Sequence, residues 1–144
     1  MKESRKRKPV TKETDRLMIH LDMFYRDLLV VFGNEKQTRE RLRMYFDEEE
    51  IDELLEGFSF REKGKTVYAS KFNAFFVWIP EPPKTAQDVG FLVHELFHST
   101  YAVMCNSGIS LSEDSEEAFA YMIGYMTEKV LEQLPTFSCP SRQQ

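Results

Sequence analysis

The chain has 144 residues, of which 42% are hydrophobic and 13% aromatic, and its net charge is −5. This length predicts one globular domain, and the composition excludes a chain that is disordered throughout. The negative balance argues against nucleic acid as the general partner. The longest apolar run, AFFVWI at 74–79, is far shorter than the roughly 20 residues of a membrane-spanning helix, so no membrane partner is expected.

Residues 1–12 are predicted to form a disordered basic tail, because six Lys and Arg side chains stand there with almost nothing apolar. The alternative is an anchor for an acidic partner or for nucleic acid. No apolar stretch follows these charges, so a secretory signal is not expected. Cys105 and Cys139 lie far apart without CxxC spacing, which is typical of reduced thiols and favours a cytoplasmic location.

The segment 13–32 is predicted to be an amphipathic helix that ends at Gly33-Asn34. Its apolar residues recur at intervals of three and four, namely Leu17, Leu21, Phe24, Leu28 and Val31. His20 lies one position off this stripe and is not assigned to a site. Two shorter helices are predicted at 35–45 and 47–58, and acidic residues open the second, as the dipole of a helix N-terminus favours.

The segment 58–80 changes to a period of two, which predicts a small antiparallel sheet. Its candidate strands are SFRE, KTVYAS and NAFFVWIP. In the last of these, Phe75, Val77 and Ile79 face one side and Phe76 and Trp78 face the other. Both faces of the sheet are therefore expected to be covered.

Two helices are predicted in the C-terminal half. Thr85 and Asp88 form the pattern of a capping box, and the helix that they open is expected to run to about residue 104 and to stop before Gly108. The last helix is predicted from about Ser112 to residue 134, where Pro135 follows.

The first of these helices contains the pentapeptide HELFH, residues 94–98. His94 and His98 are four residues apart and project from one helix face, with Glu95 beside them, which is the arrangement of the HExxH zinc motif. Zinc needs a third protein ligand and keeps a further position for water. The alternative is two core histidines without a metal. A strand directly before the helix favours a peptidase, since such enzymes align the substrate backbone along an edge strand.

Eighteen residues after His98 comes Glu117, within the segment GISLSEDSEEAFAYMIGY at 108–125. This spacing, together with the run EAFAY, resembles the gluzincins, among them thermolysin and aminopeptidase N-like enzymes, and is similar to small predicted metallopeptidases of bacteriophages. The resemblance implies a zincin-like α+β domain at 13–144, in which a small antiparallel sheet packs on an active-site helix and a glutamate helix, with N-terminal helices. It implies Zn²⁺ held by His94, His98 and Glu117. Glu95 would be the general base for a zinc-activated water, and the substrate a protein or peptide.

The adjacent Glu116 points about 100° away from Glu117 on a helix, so only one of the two can face the histidines. The matching position before Ala118 favours Glu117. Tyr101, Tyr121 and Tyr125 are candidate phenolic donors to an oxyanion. Two alternatives to an active peptidase stay open: a weak or inactive zincin-like scaffold with a structural or interaction role in a phage, and a repressor-cleaving regulator like the ImmA/IrrE peptidases.

Overall fold

The computed structural model describes residues 15–137, so the predicted basic tail and Cys139 lie outside the described residues. Within them, a four-stranded sheet has helices on both faces, which confirms the α+β class. The elements are β1 (Arg16–Leu21), β2 (Arg26–Phe32), α1 (Glu35–Leu42), α2 (Glu48–Leu54), β3 (Lys65–Ala69), β4 (Ala74–Ile79), α3 (Ala86–Asn106) and α4 (Glu116–Glu132).

The helix predicted at 13–32 is wrong, because residues 16–32 form the hairpin of β1 and β2. In β1 the residues Leu17, Ile19 and Leu21 alternate with more exposed neighbours and are each at most 4% exposed. That alternation is the burial pattern of a strand with one face in a core. Strand β2 lies inside the sheet and is buried on both faces from Leu28 to Phe32.

The hairpins β1–β2 and β3–β4 turn in the same way. Each turn is a three-residue 3₁₀ segment followed by one residue in the left-handed region, Tyr25 with φ 51° and Asn73 with φ 53°. The side-chain amide of Asn73 donates a hydrogen bond of 2.7 Å to the carbonyl of Tyr25. The two turns therefore lie together at one end of the sheet.

The strand order is β1-β2-β4-β3. Both hairpins are antiparallel, but β2 and β4 pair in parallel at the centre, so the prediction of an antiparallel sheet is only partly right. The predicted strand at SFRE is also wrong, since 59–62 is a turn region without strand pairing. Strands β2 and β4 are interior, and β1 and β3 form the two edges of the sheet.

Both faces of the sheet are covered, as predicted. Phe75, Val77 and Ile79 pack with β1, α3 and α4 in one buried cluster. Phe76 and Trp78 point to the other side, where they pack in a second cluster with residues of α1, of α2 and of the segment after α2. Each buried side chain of this size contributes about 1.5–3 kcal/mol, so packing rather than helix propensity holds the short and polar α1 in place.

The two C-terminal helices position the HELFH segment and Glu117. Thr85 and Asp88 form the predicted capping box at the start of α3. Helix α4 begins at Glu116, later than predicted, with Ser115 as its N-cap. Among the described residues, no helix combines the length and the apolar character needed to cross a membrane.

Candidate metal centre

His94 and His98 stand on the exposed face of α3, one turn apart. Their Nε2 atoms are 3.3 Å from each other, and the two rings meet edge to face. Two nitrogens bound at about 2.05 Å to a tetrahedral zinc ion lie about 3.3 Å apart, from the bond length and the tetrahedral angle. The imidazole pair therefore has the spacing of two adjacent zinc ligands, which is also the spacing of a hydrogen bond between the two rings.

Glu95 lies on the inner side of the same helix and is only 8% exposed. Its Oε1 atom is 4.0 Å from Nε2 of His94. Its other oxygen, Oε2, accepts a hydrogen bond of 2.6 Å from the hydroxyl of Thr66 in β3. The carboxylate is thus held at the base of the histidine pair.

These side chains line an open cleft of about 430 Å³ between α3 and β3. Gly64, Thr66 and Tyr68 come from the edge strand or directly precede it, and they alternate along the chain, so they face the cleft together. The ring of Tyr68 stacks on Phe75 with 4.8 Å between centroids. The cleft therefore has one wall made by the histidine helix and one made by the sheet edge.

Glu117 does not line this cleft. It is an exposed residue in the first turn of α4. Within residues 15–137, no three His, Cys, Asp or Glu side chains form a group that could hold a metal ion. The predicted residues His94, Glu95 and His98 are thus together, whereas the role of Glu117 as third ligand stays a prediction.

Sequence reasoning missed the contribution of β3. Tyr101, Tyr121 and Tyr125 were the predicted phenolic donors, but the phenol that lines the cleft is Tyr68. Tyr125 borders a different cleft, beside Phe24 of the first hairpin. The period-two pattern of KTVYAS places Thr66 and Tyr68 on one face of the strand, and this pattern could have identified both as residues of the site.

The third histidine, His20, does not line this cleft. His20 is an exposed residue of β1, and its Nδ1 atom is 2.6 Å from Oδ1 of Asp27 on β2. This hydrogen bond, together with the charge of Asp27, raises the pKa of His20 above its ordinary value.

No protein-family model, no curated protein and no solved structure matches this chain. The residues of the cleft and the sequence resemblance carried by HELFH and Glu117 are therefore what indicates a function for this chain.

Proposed function

We propose that this chain is a zinc-dependent peptidase of the gluzincin type with a zincin-like fold. The observation that carries the proposal is the 3.3 Å separation of the Nε2 atoms of His94 and His98, with the buried carboxylate of Glu95 beside them. Two imidazoles at this distance fit adjacent positions around one zinc ion. A carboxylate next to such a pair is suited to accept a proton there.

Zinc bound by these imidazoles would supply Lewis acidity, which lowers the pKa of a water molecule and polarises a carbonyl group. Glu95 would accept the proton of the attacking water at Oε1, the oxygen that faces His94. Its low exposure keeps the carboxylate away from bulk water, which strengthens its interaction with charges in the cleft. Hydrolysis of an amide bond is the reaction that these groups support.

The edge strand β3 supports a peptide substrate. One side of β3 pairs with β4, and the strand ends the sheet on its other side. An extended peptide can add to such an edge through main-chain hydrogen bonds. The strand directly before α3 is the interior β4, so the strand proposed to align the substrate is β3 instead.

A second candidate function is a zincin-like scaffold with weak or no activity. The exposure of Glu117 at the start of α4, outside the cleft, favours it. In that case the histidine pair would bind metal weakly, because two protein ligands leave a zinc site short of the usual three or four. Metal content distinguishes the two functions.

Zinc content should be measured on purified protein and on single variants. We expect about one zinc per chain in the wild type and a loss of most of it in His94→Ala and in His98→Ala. His20→Ala is the matched control, since it removes the remaining histidine, and it should keep its zinc. Retention of full zinc by His98→Ala would exclude the histidine pair as the metal site.

The same measurement tests the third ligand. Glu117→Ala should lose zinc, whereas Glu116→Ala, which removes the neighbouring carboxylate from the same helix turn, should not. Equal zinc in Glu117→Ala and the wild type would remove Glu117 from the ligand set and would favour the scaffold function.

Peptide cleavage tests the role of Glu95. With zinc present, the wild type should cleave an unstructured protein such as casein, and Glu95→Gln should keep its zinc and lose at least a hundredfold in rate. Cleavage by Glu95→Gln at the wild-type rate would show that another group takes the proton.

A further inference from the structure

We propose that Thr66 is a positioning residue that fixes which oxygen of Glu95 faces the histidine pair. The catalytic consequence of this proposal rests on the proposed peptidase function, whereas the contact itself does not. Three features of β3 and α3 carry the inference: a hydrogen bond, a close approach of backbone to side chain, and the burial of the carboxylate.

The hydrogen bond joins the hydroxyl of Thr66 to Oε2 of Glu95 at 2.6 Å. The same hydroxyl lies 3.0 Å from the backbone carbonyl of Glu95. A threonine hydroxyl has one hydrogen to donate, and the bond to an ionised carboxylate is the shorter and stronger of the two. Oε2 is therefore occupied by Thr66, and Oε1 is left to face Nε2 of His94 at 4.0 Å.

The close approach involves Gly64, two residues before Thr66 and on the same side of the chain. A Cβ atom at this position would lie 2.7 Å from Cγ of Glu95 and 3.2 Å from its carboxyl carbon. Both distances are shorter than ordinary van der Waals contact. The backbone at Gly64 therefore lies directly against the side chain of Glu95 and limits the rotamers that it can adopt.

Burial completes the restraint, because Glu95 is 8% exposed and cannot swing into solvent from this position without losing the contact with Thr66. A free glutamate side chain would have to be ordered in every catalytic cycle, and fixing it in advance removes that cost. Since β3 is also the edge strand, the segment proposed to bind the peptide is the one that orients the proton acceptor.

The kinetic test compares Thr66→Val, which keeps the shape and removes the hydroxyl, with Thr66→Ser, which keeps the hydroxyl. With zinc content equal to the wild type, Thr66→Val should lower kcat tenfold to a hundredfold and leave KM within about twofold, as expected for loss of one charge-assisted hydrogen bond. Thr66→Ser should stay within about threefold of the wild type. In the Glu95→Gln background, Thr66→Val should have no further effect.

A second readout needs neither metal nor activity. In metal-free protein, Thr66→Val should lower the melting temperature in the wild-type background and change it less in the Glu95→Ala background, where the carboxylate is gone and only the backbone carbonyl of residue 95 is left to accept the hydroxyl. Equal shifts in the two backgrounds, or a Thr66→Val variant whose KM rises while kcat is unchanged, would overturn the proposal.

The two proposals fail in different ways. A zinc-loaded wild type that cleaves no peptide overturns the peptidase function and the catalytic part of the present proposal. The difference between the two backgrounds in melting temperature then still decides whether Thr66 restrains Glu95. Active wild type with additive melting shifts would instead overturn the positioning role alone.

Discussion

Replacing Gly64 with alanine adds one methyl group at the closest point between the sheet edge and Glu95. The added Cβ would lie 2.7 Å from Cγ of Glu95 and 3.1 Å from Cδ1 of Ile79. The first distance is too short for two carbon atoms, so either Glu95 or the backbone before β3 must move. Since the crowded atom is Cγ rather than the end of the side chain, the whole carboxylate has to be displaced.

We expect Gly64→Ala to destabilise the protein by about 1–3 kcal/mol, the usual cost of adding a methyl group to a packed site. Displacement of Glu95 also breaks its hydrogen bond to Thr66, which places the effect toward the upper part of that range. Urea denaturation followed by circular dichroism measures the change as a lower midpoint with an unchanged slope.

Gly90 is the matched control, because it lies inside α3 and an added Cβ there meets nothing within 4 Å. Gly90→Ala should therefore stabilise the protein by about 0.5–1 kcal/mol, the difference in helix propensity. In the Glu95→Ala background the cost of Gly64→Ala should fall to that of the milder contact with Ile79. A Gly64→Ala variant as stable as the wild type would refute the close approach of β3 to Glu95.

Three further predictions concern the N-cap of α3 and two ionisable groups, Asp88 and His20, away from the cleft. Thr85→Ala should lower stability by about 1 kcal/mol because it removes the N-cap of α3. The backbone amides of Lys84 and Thr85 donate to the carboxylate of Asp88 and lower its pKa below 3.8. Asp88 therefore stabilises the fold above pH 3.8, and this stabilisation is lost as the pH falls through the lowered pKa. Asp88→Asn should flatten the acid limb of a stability-versus-pH curve, and an unchanged limb would contradict the assignment. For His20, whose pKa is raised, the stabilisation is present below pH 6.5 and lost as pH rises through the raised pKa. Asp27→Asn should return the pKa of His20 toward 6.5 in an NMR titration, and a value that does not change would exclude the ion pair.

The first hairpin escaped prediction because two signals in 13–32 pointed the wrong way. The first signal is the spacing of Leu17, Leu21 and Leu28, which fits one face of a helix. The same segment also has the alternation of a strand, with Ile19 between Leu17 and Leu21. The turn also lacks a residue that favours the left-handed region, since Tyr25 occupies it. The equivalent turn of the second hairpin has Asn73, which adopts that region more readily, and there the strands were predicted correctly.

The parallel pairing of β2 with β4 had no local signal. It joins strands that are separated in the chain by α1, α2 and β3. The continuous burial of Leu28 to Phe32 is typical of a strand inside a sheet. However, the hydrophobic periodicity of a single segment predicts only whether it is a strand or a helix, and it does not determine which other strand it pairs with. The HELFH cluster was predictable because its residues are neighbours on one helix turn, where spacing alone sets geometry.

The position of Glu117 depends on the segment between α3 and α4 rather than on its spacing from His98. Helix α3 continues for eight residues beyond His98, roughly 12 Å, before it ends at Asn106. The amide of Ile109 then bonds to the carbonyl of Met104, and Ser115 bonds through its hydroxyl to the carbonyl of Ser110. These bonds close the segment on itself and hold the start of α4 where it is. A ligand set that includes Glu117 would therefore draw on an exposed carboxylate at this helix start, and the zinc content of Glu117→Ala against that of Glu116→Ala tests it.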